Sequence, residues 1–102
     1  MIQATIINNR ADLLIPKDIL GDAPYTIVLT SDLSNEVFTF DNLEDLSDNG
    51  YIYCFVIDCS EMRLSGQYSL VLKDTLERVL FTDICNIVFE GAPEGYEVTE
   101  ED

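Results

Sequence analysis

Residues 51–73 read YIYCFVID, then CSEMRLSG, then QYSLVLK, which are two runs typical of β-strands with a polar connection between them. Side chains along a strand alternate between its two faces, so each run has one strongly apolar face. The members of these faces are Tyr51, Tyr53, Phe55 and Ile57 in the first run and Tyr68, Leu70 and Leu72 in the second. We expect the two strands to form a hairpin or a β-arch, with both apolar faces in one core.

The same alternation continues on both sides of this pair. Residues 25–30 and 36–40 form strand-like runs before it, and residues 78–89 form a longer run after it. Turn residues separate the runs, which recur about every 8 to 12 residues. This spacing predicts an all-β protein of about seven short strands, arranged as an antiparallel sandwich or barrel. Because an ionised carboxylate is poorly suited to a β run, we also expect a bulge or bend at Asp83.

The 102 residues are enough for one domain with its own core. Residues 1–24 are predicted to form an N-terminal arm or edge strands, because Pro16 cannot donate a hydrogen bond to a central ladder. Residues 25–89 are predicted to form the sandwich domain. Residues 90–102 combine Gly, Pro and acidic side chains, and we expect them to form an acidic, flexible tail.

Charge is the strongest feature of the composition. The chain has 20 Asp and Glu against 5 Lys and Arg, with no His, for a net charge of -15 at pH 7. Such a surface repels the phosphates of nucleic acids and anionic membranes. The partners are therefore expected to be proteins with basic or neutral apolar surfaces, and neither nucleic acid nor membrane is expected among them.

Cysteine usage predicts a reducing compartment. Cys54, Cys59 and Cys85 are odd in number and lack C-x-x-C spacing, and the chain has no His to complete a zinc site. We interpret them as reduced, small apolar residues. The first residues lack the layout of a signal peptide, and no apolar run approaches the roughly 20 residues that cross a bilayer.

Catalytic chemistry has little support in the sequence. Nucleophilic catalysis by Ser or Cys normally uses a positioned base, and no His can supply one. Phosphate-binding glycine motifs are missing. Residues 45–50 match the start of a calcium loop, but Val56 stands where a bidentate Glu is needed, so we interpret them as a polar turn. The sequence predicts no enzymatic activity, no metal and no cofactor.

The back of the central strand is unusually apolar. If Tyr53 and Phe55 face inward, then Ile52, Cys54 and Val56 face outward, where a one-sided sheet carries polar side chains. Either the chain's own residues 13–15 cover this row, or the row packs on another subunit and is extended by valines of strands that pair beside it. The candidate assembly residues are therefore Ile52, Cys54, Val56, Val28, Val71, Leu13, Leu14 and Ile15.

Three stretches, YIYCFVID, GQYSLVLKD and RVLFTDICNIV, resemble the small immunoglobulin-like sandwich modules of virion proteins in crAss-like and related tailed phages of gut bacteria. Those modules carry a strand YY-x-F, then G-x-Y-x-Y-x-L-x-D, and a last strand of the type V-L-x-T-G-L-L-x-I. The matching residues are Tyr53 and Phe55, then Gly66, Tyr68, Leu70, Leu72 and Asp74, then Val79, Leu80, Thr82, Ile84, Cys85 and Ile87. The chain departs from the pattern at Asp83, where Gly is usual, and at Cys54 and Val56, where charges are usual.

The resemblance implies an antiparallel immunoglobulin-like β-sandwich in a non-enzymatic structural protein of a phage particle. Such a protein is an auxiliary or decoration protein of the capsid, or an adaptor at the head, neck or fibre. It is made in the cytoplasm of the bacterial host, resides in the virion, and binds other virion proteins or copies of itself in an oligomeric assembly.

The alternative function is that of a small acidic inhibitor that imitates DNA and blocks a nucleic-acid-binding enzyme. That alternative needs carboxylates arrayed on one face, whereas six of the 20 acids lie in residues 90–102.

Overall fold

A computed structural model describes residues 1–48 and 50–90 of the chain. This part of the chain forms seven β-strands and no helix, which confirms the predicted all-β class. The strands are β1 (Ile2–Ile6), β2 (Arg10–Pro16), β3 (Tyr25–Ser31), β4 (Val37–Leu43), β5 (Ile52–Asp58), β6 (Gly66–Lys73) and β7 (Val79–Phe89). The predicted acidic tail lies outside the described residues from position 91 onward.

The seven strands form two sheets on one core. The larger sheet has the order β1-β7-β6-β3-β4, and the smaller sheet pairs β2 with β5. The pair of β1 and β7 is parallel and the other pairs are antiparallel, so the larger sheet is mixed and the prediction of a purely antiparallel fold is corrected. Buried side chains from both sheets form a single apolar cluster.

The two central strands form an arch and not a hairpin. β5 pairs with β2 in the smaller sheet, whereas β6 lies between β3 and β7 in the larger one. Residues 59–65 therefore carry the chain from one sheet to the other. Tyr53 and Phe55 of β5 and Tyr68 and Leu70 of β6 are at most 1% exposed, as expected for apolar faces that meet in one core.

Tyrosine hydroxyl groups at the border of the core bond to the connections. The Tyr68 hydroxyl donates to the carbonyl oxygen of Leu64 at 2.7 Å, and the Tyr53 hydroxyl donates to that of Ile19 at 2.8 Å. The ring of Tyr25 packs edge-on against that of Tyr53, with 5.3 Å between the ring centres. Each ring fills apolar space while its hydroxyl keeps a hydrogen bond, which is the usual arrangement of a buried tyrosine.

Of the two forms predicted for residues 1–24, the structure has edge strands and not an arm. β1 and β2 are strands of the two sheets, and alternate side chains of both face the core. Leu13 and Ile15 are 0% exposed, because β2 pairs beside β5 and turns the same face inward as Phe55 does. Leu13 and Ile15 are therefore core residues that no partner can reach in the folded chain, which corrects their place among the candidate assembly residues.

Three aromatic residues are more exposed than the alternation along their strands implies. Tyr51 is 81% exposed, because β5 begins only at Ile52. Phe38 and Phe40 are half-buried and pack against the core from β4, which is an edge strand of the larger sheet. Phe38 and Phe40 line a depression that is open to solvent, so part of their surface stays in water.

The irregularity predicted at Asp83 lies elsewhere. Asp83 keeps regular register between β6 and β7, whereas the register shifts between Leu72 and Lys73, opposite residues 79–81. The Asp83 carboxylate accepts a hydrogen bond from the N–H of Ile84 at 2.7 Å and lies 3.1 Å from the N-terminal ammonium group. These contacts stabilise the ionised side chain and lower the pKa of Asp83, so the strand needs no bend there.

Candidate assembly surfaces

The outer face of the smaller sheet carries a patch of apolar side chains. Positions in β2 and β5 that alternate with the core residues point away from the core. On this face Leu14 pairs with Cys54, and Pro16 pairs with Ile52. Leu14 is 56% exposed and Ile52 is 41% exposed. We call Leu14, Ile52, Cys54 and Val56 the apolar patch.

The apolar patch contains four of the eight predicted candidates. Cys54 and Val56 are half-buried on the strand, and residues 13–15 do not cover them, because β2 lies beside β5 in the same sheet. Asp12 pairs with Val56, and Arg10 pairs with Asp58 at the end of β5, so charged side chains of both signs border the patch at this end. Within the described chain the patch is thus an open apolar surface with a polar border.

Val28 and Val71 lie on the opposite side of the molecule. They are directly paired between β3 and β6 in the larger sheet, and both are half-buried on its outer face. β5 pairs with neither of these strands, which corrects the prediction that the two valines extend the row of Ile52, Cys54 and Val56. The candidates therefore divide into two surfaces and a core pair.

The outer face of the larger sheet is nearly free of charge on a strongly acidic protein. Its side chains stand in rows that the pairing of β4, β3, β6 and β7 defines. The rows are Val37, Thr30, Ser69 and Ile84, then Thr39, Val28, Val71 and Thr82, then Asp41, Thr26 and Lys73. We call these residues the neutral face. Its one acid, Asp41, and its one base, Lys73, give it no net charge.

Val28 and Val71 of the neutral face were predicted from the sequence, whereas its other residues were not. The signal is present, since residues 26–30 and 69–71 carry Thr, Val and Ser at the positions that alternate with core residues. A single strand of this kind is not informative, because short uncharged side chains are common in β-strands. The surface emerges only when the strand order places four such strands side by side.

The acidic side chains lie mainly away from both surfaces. Asp12, Asp41, Asp58 and Asp83 belong to strands, whereas the other acids of the described chain lie in connections or just after β7. With a net charge of -15, another acidic protein is repelled wherever these connections approach it. The two sheet faces are the broad surfaces on which a second protein meets the least like charge.

An ion pair anchors the connection that follows β4. The ammonium group of Lys17 lies 2.7 Å from the carboxylate of Asp45, and the two side chains are 10% and 15% exposed. Burial disfavours the ionised carboxyl, but hydrogen bonds from Lys17 and from the N–H groups of Cys54 and Ser47 outweigh it and lower the pKa of Asp45. Lys17 also lies 5.2 Å from the centre of the Tyr53 ring, a cation–π distance.

The calcium-like stretch takes part in this anchor. Asp45, its first position, binds Lys17, and the N–H of Leu46 donates to the carbonyl oxygen of Cys54 at 2.8 Å. The connection therefore packs along the free edge of β5. Among residues 1–48 and 50–90, no group of three or more His, Cys, Asp or Glu side chains is placed to hold a metal ion.

A second carboxylate fixes the turn between β6 and β7. The Asp74 side chain is fully buried and accepts hydrogen bonds from the guanidinium of Arg78 at 2.6 and 2.8 Å. It also accepts hydrogen bonds from the N–H groups of Leu76 and Asp22. The guanidinium of Arg78, with the help of these backbone donors, lowers the pKa of Asp74 to about 2. This carboxylate holds two connections together.

The three cysteines are free thiols in different surroundings. Cys59 and Cys85 are buried in the core, and Cys54 is half-buried on the apolar patch. Burial raises the pKa of the Cys59 and Cys85 thiols to about 11. The thiolate is the reactive form, so these two residues act as small apolar core residues at neutral pH.

Two of the shallow depressions on the surface of the described chain differ in their lining. One of about 540 Å³ is lined by Ile6, Met62 and Phe89 and adjoins the last described residue. Another of about 260 Å³ lies on the neutral face, beside Val28 and Lys73. Both are open to solvent, unlike the concave sites that bury most of a small ligand.

Comparison with known proteins gives no match to a family model, to a curated protein or to a solved structure. The described part of the chain has no helix long and apolar enough to span a membrane. The function is therefore inferred from the apolar patch and the neutral face.

Proposed function

We propose that the protein is a non-enzymatic structural protein of a phage particle, either an auxiliary or decoration protein of the capsid or an adaptor at the head, neck or fibre. The observation that carries the proposal is the apolar patch, a contiguous set of Leu14, Ile52, Cys54 and Val56 on the outside of a protein with a net charge of -15. Exposed apolar patches with a polar border are typical of protein-binding surfaces. The phage setting rests on the resemblance of residues 25–88 to virion modules.

The proposed fold is an immunoglobulin-like sandwich. In that fold strands B and E belong to one sheet and strands C, F and G to the other, and variable-type domains add C′ beside C. The strand order supports this assignment, because β2 and β5 take the places of B and E, and β3, β4, β6 and β7 take those of C, C′, F and G. β1 departs from the constant-type arrangement, since it lies beside β7 and not beside β2.

Tyr68 also supports the immunoglobulin-like assignment. It lies near the start of β6, and its hydroxyl donates to the carbonyl oxygen of Leu64, four residues upstream. Immunoglobulin domains have a tyrosine corner of this kind near the start of strand F, two residues before a cysteine. Here Leu70 takes the place of that cysteine and is 1% exposed, so apolar packing replaces the inter-sheet disulfide.

The apolar patch defines the chemistry of a suitable partner. Burial of one such side chain contributes about 1.5 to 3 kcal/mol, so a few of them drive association. Arg10 stands opposite Asp58 at the border of the patch, whereas Asp12 stands beside Val56, and its carboxylate favours a basic side chain at this margin of the partner. The proposed partner is therefore a virion protein that presents an apolar centre with Lys or Arg beside it.

The DNA-mimic hypothesis has weaker support. A mimic needs carboxylates spaced along one face like the phosphates of a duplex, whereas the acids of the described chain lie mainly in the connections. The neutral face has one acid, Asp41, and the apolar patch has none. The charge distribution therefore favours assembly over imitation of DNA.

The proposal is tested on purified particles of the phage that encodes the chain. Quantitative mass spectrometry of gradient-purified particles should find the chain in a constant ratio to the major capsid protein. Particles that lack the chain would contradict the proposal.

A pair of variants assigns the contact to the apolar patch. Leu14→Lys should reduce incorporation about tenfold or more, because the contact buries a charge that the free chain leaves in water. Leu76→Lys is the matched control, since Leu76 is an exposed apolar residue in the turn between β6 and β7. Equal incorporation of both variants would exclude the apolar patch as the binding surface.

A further inference from the structure

One row of the neutral face runs from an acid through a hydroxyl to a base. Asp41 on β4 accepts a hydrogen bond at 3.2 Å from the hydroxyl of Thr26 on β3, and Thr26 pairs with Lys73 on β6. Lys73 forms no ion pair with any residue of the described chain. β4 and β6 flank β3, so the two opposite charges lie on either side of the same strand.

We propose that a second copy of this chain packs on the neutral face. The two copies are related by a two-fold axis that is parallel to β3 and lies midway between the two facing sheets. This axis places β4 of each copy over β6 of the other. Asp41 then faces Lys73 of the second copy, and Lys73 faces Asp41 of the second copy. Stacked sheets lie about 10 Å apart, a gap that an aspartate and an extended lysine bridge together.

The same axis brings uncharged side chains together in the other rows. Val28 lies beside the axis and packs against Val28 of the second copy, while Thr39 faces Val71. The shallow depression beside Val28 and Thr39, which Asp41, Lys73 and Glu77 also line, gives space for an opposing side chain. The contact thus buries β-branched side chains in the middle and forms two ion pairs at one end.

The placement of the two charges favours a second copy over an unrelated partner. A two-fold interface brings the same surface of both subunits together, so an acid must meet a base that is placed symmetrically to it. Asp41 and Lys73 meet this condition about β3. A contact through the acidic connections would instead place carboxylate against carboxylate in a protein with a net charge of -15.

The proposed contact is small. Three strands, spaced by about 4.8 Å and about 20 Å long, present about 300 Å² per copy. The total of about 600 Å² is below the roughly 1,200 Å² of stable complexes, so the dimer is weak. Such a contact contributes most where many copies are already held close together, since a high effective concentration replaces affinity.

Sedimentation equilibrium of the isolated chain tests this proposal. At about 1 mM protein, neutral pH and about 0.15 M salt, the chain should form a reversible monomer–dimer equilibrium. Asp41→Lys should weaken association about fivefold or more, because it places a lysine opposite Lys73. If repulsion between two acidic chains alone governed association, this variant would associate more strongly than the wild type, since it lowers the net negative charge by two units.

Two further variants separate the ion pairs from net charge. Asp32→Lys makes the same charge change in the connection between β3 and β4, outside the neutral face, and should leave association unchanged or stronger. Asp41→Lys combined with Lys73→Asp keeps the original net charge and reverses both ion pairs. The double variant should return to within about twofold of the wild-type dissociation constant. Circular dichroism verifies that each variant is folded.

The possible failures are distinct. A wild-type chain that is monomeric at this concentration overturns the proposal, as does Asp41→Lys if it associates like Asp32→Lys. Self-association that Leu14→Lys abolishes would assign the dimer to the apolar patch, which also overturns the neutral-face contact but leaves the role in a particle intact. Particles without the chain overturn the proposed function and leave the neutral-face dimer standing.

Discussion

Gly21 has no space for a larger side chain. A β-carbon on Gly21 would lie 2.6 Å from Cδ1 of Leu80 and 2.8 Å from Cβ of Asp74. We expect Gly21→Ala to lower the free energy of unfolding by about 1 to 3 kcal/mol in a denaturant titration, because overpacking displaces its neighbours. Gly50→Ala is the control, since no atom lies within 4 Å of its added carbon. Equal losses in both variants would contradict the steric explanation.

Asp74 gives the fold a defined sensitivity to acid. Its pKa is about 2 in the folded chain, whereas an unfolded chain has a value of about 3.9. A carboxyl group with a depressed folded pKa adds stability above its unfolded pKa, and that stability disappears as the pH falls through the folded pKa. Asp74→Asn should therefore be less stable than the wild type at pH 7, and the difference should shrink between about pH 4 and pH 2.

Thermal unfolding of both proteins across this pH range measures the effect. Asp45 and Asp83 also have lowered pKa values, so the wild type loses stability in acid for several reasons. The difference between wild type and Asp74→Asn isolates the contribution of the one carboxyl. A difference that stays constant from pH 7 to pH 2 would show that Asp74 acts by shape and not by charge.

Core residues could be predicted from the sequence where the opposite sheet covers the strand. Tyr68 and Leu70 are buried as the period of two predicts, because β6 is central in the larger sheet. Phe38 is only half-buried, because at this edge of the larger sheet it lines a depression that is open to solvent. Whether a strand lies at an edge depends on its partners, and alternation within one strand does not contain that information.

At the level of elements, the ion pair of Lys17 and Asp45 joins the end of β2 to the connection before β5. Both side chains are mostly buried, so removal of one partner leaves a buried charge. Lys17→Met should cost about 3 to 5 kcal/mol of unfolding free energy. Lys17→Met combined with Asp45→Asn should recover part of that loss, since the second change removes the uncompensated charge and keeps a hydrogen-bond acceptor.

Chemical denaturation of the two single variants and the double variant forms a mutant cycle. The control is Asp41→Asn, which removes an exposed carboxylate that accepts a hydrogen bond from the Thr26 hydroxyl, and it should change stability by less than about 0.5 kcal/mol. If the double variant is as unstable as the sum of its singles, the two side chains do not act as a pair.

Strand positions could be predicted from local sequence, whereas strand partners could not. The two runs of residues 51–73 are β5 and β6, but their alternation fits a hairpin and an arch equally well. The arch follows from the pairing of β5 with β2, which depends on residues far away in the chain. The neutral face was hidden for the same reason, because Val28 and Val71 become neighbours only when β3 pairs with β6.

At the level of the whole molecule, repulsion among the many carboxylates lowers the stability of the folded state. A net charge of -15 on 102 residues produces repulsion that salt screens, since the Debye length falls from about 30 Å at 0.01 M to about 10 Å at 0.1 M. The melting temperature at pH 7 should therefore rise by several degrees over this range of sodium chloride. At pH 4 the rise should be smaller, because part of the carboxylates are protonated. A melting temperature that is independent of salt at pH 7 would show that the acids are too dispersed to destabilise the fold.

The parallel pair of β1 and β7 joins the first strand to the last one described. During synthesis β1 leaves the ribosome before β7 and has no sheet partner until β7 follows, about 80 residues later. Pairing of such distant segments is slow, in the range of milliseconds to seconds, because the entropy of closing the long loop is lost before contacts form. The larger sheet therefore closes only after translation of its last strand, and until that moment β1 and one edge of β6 lack a sheet partner. Chaperones that bind extended apolar segments would act in this interval.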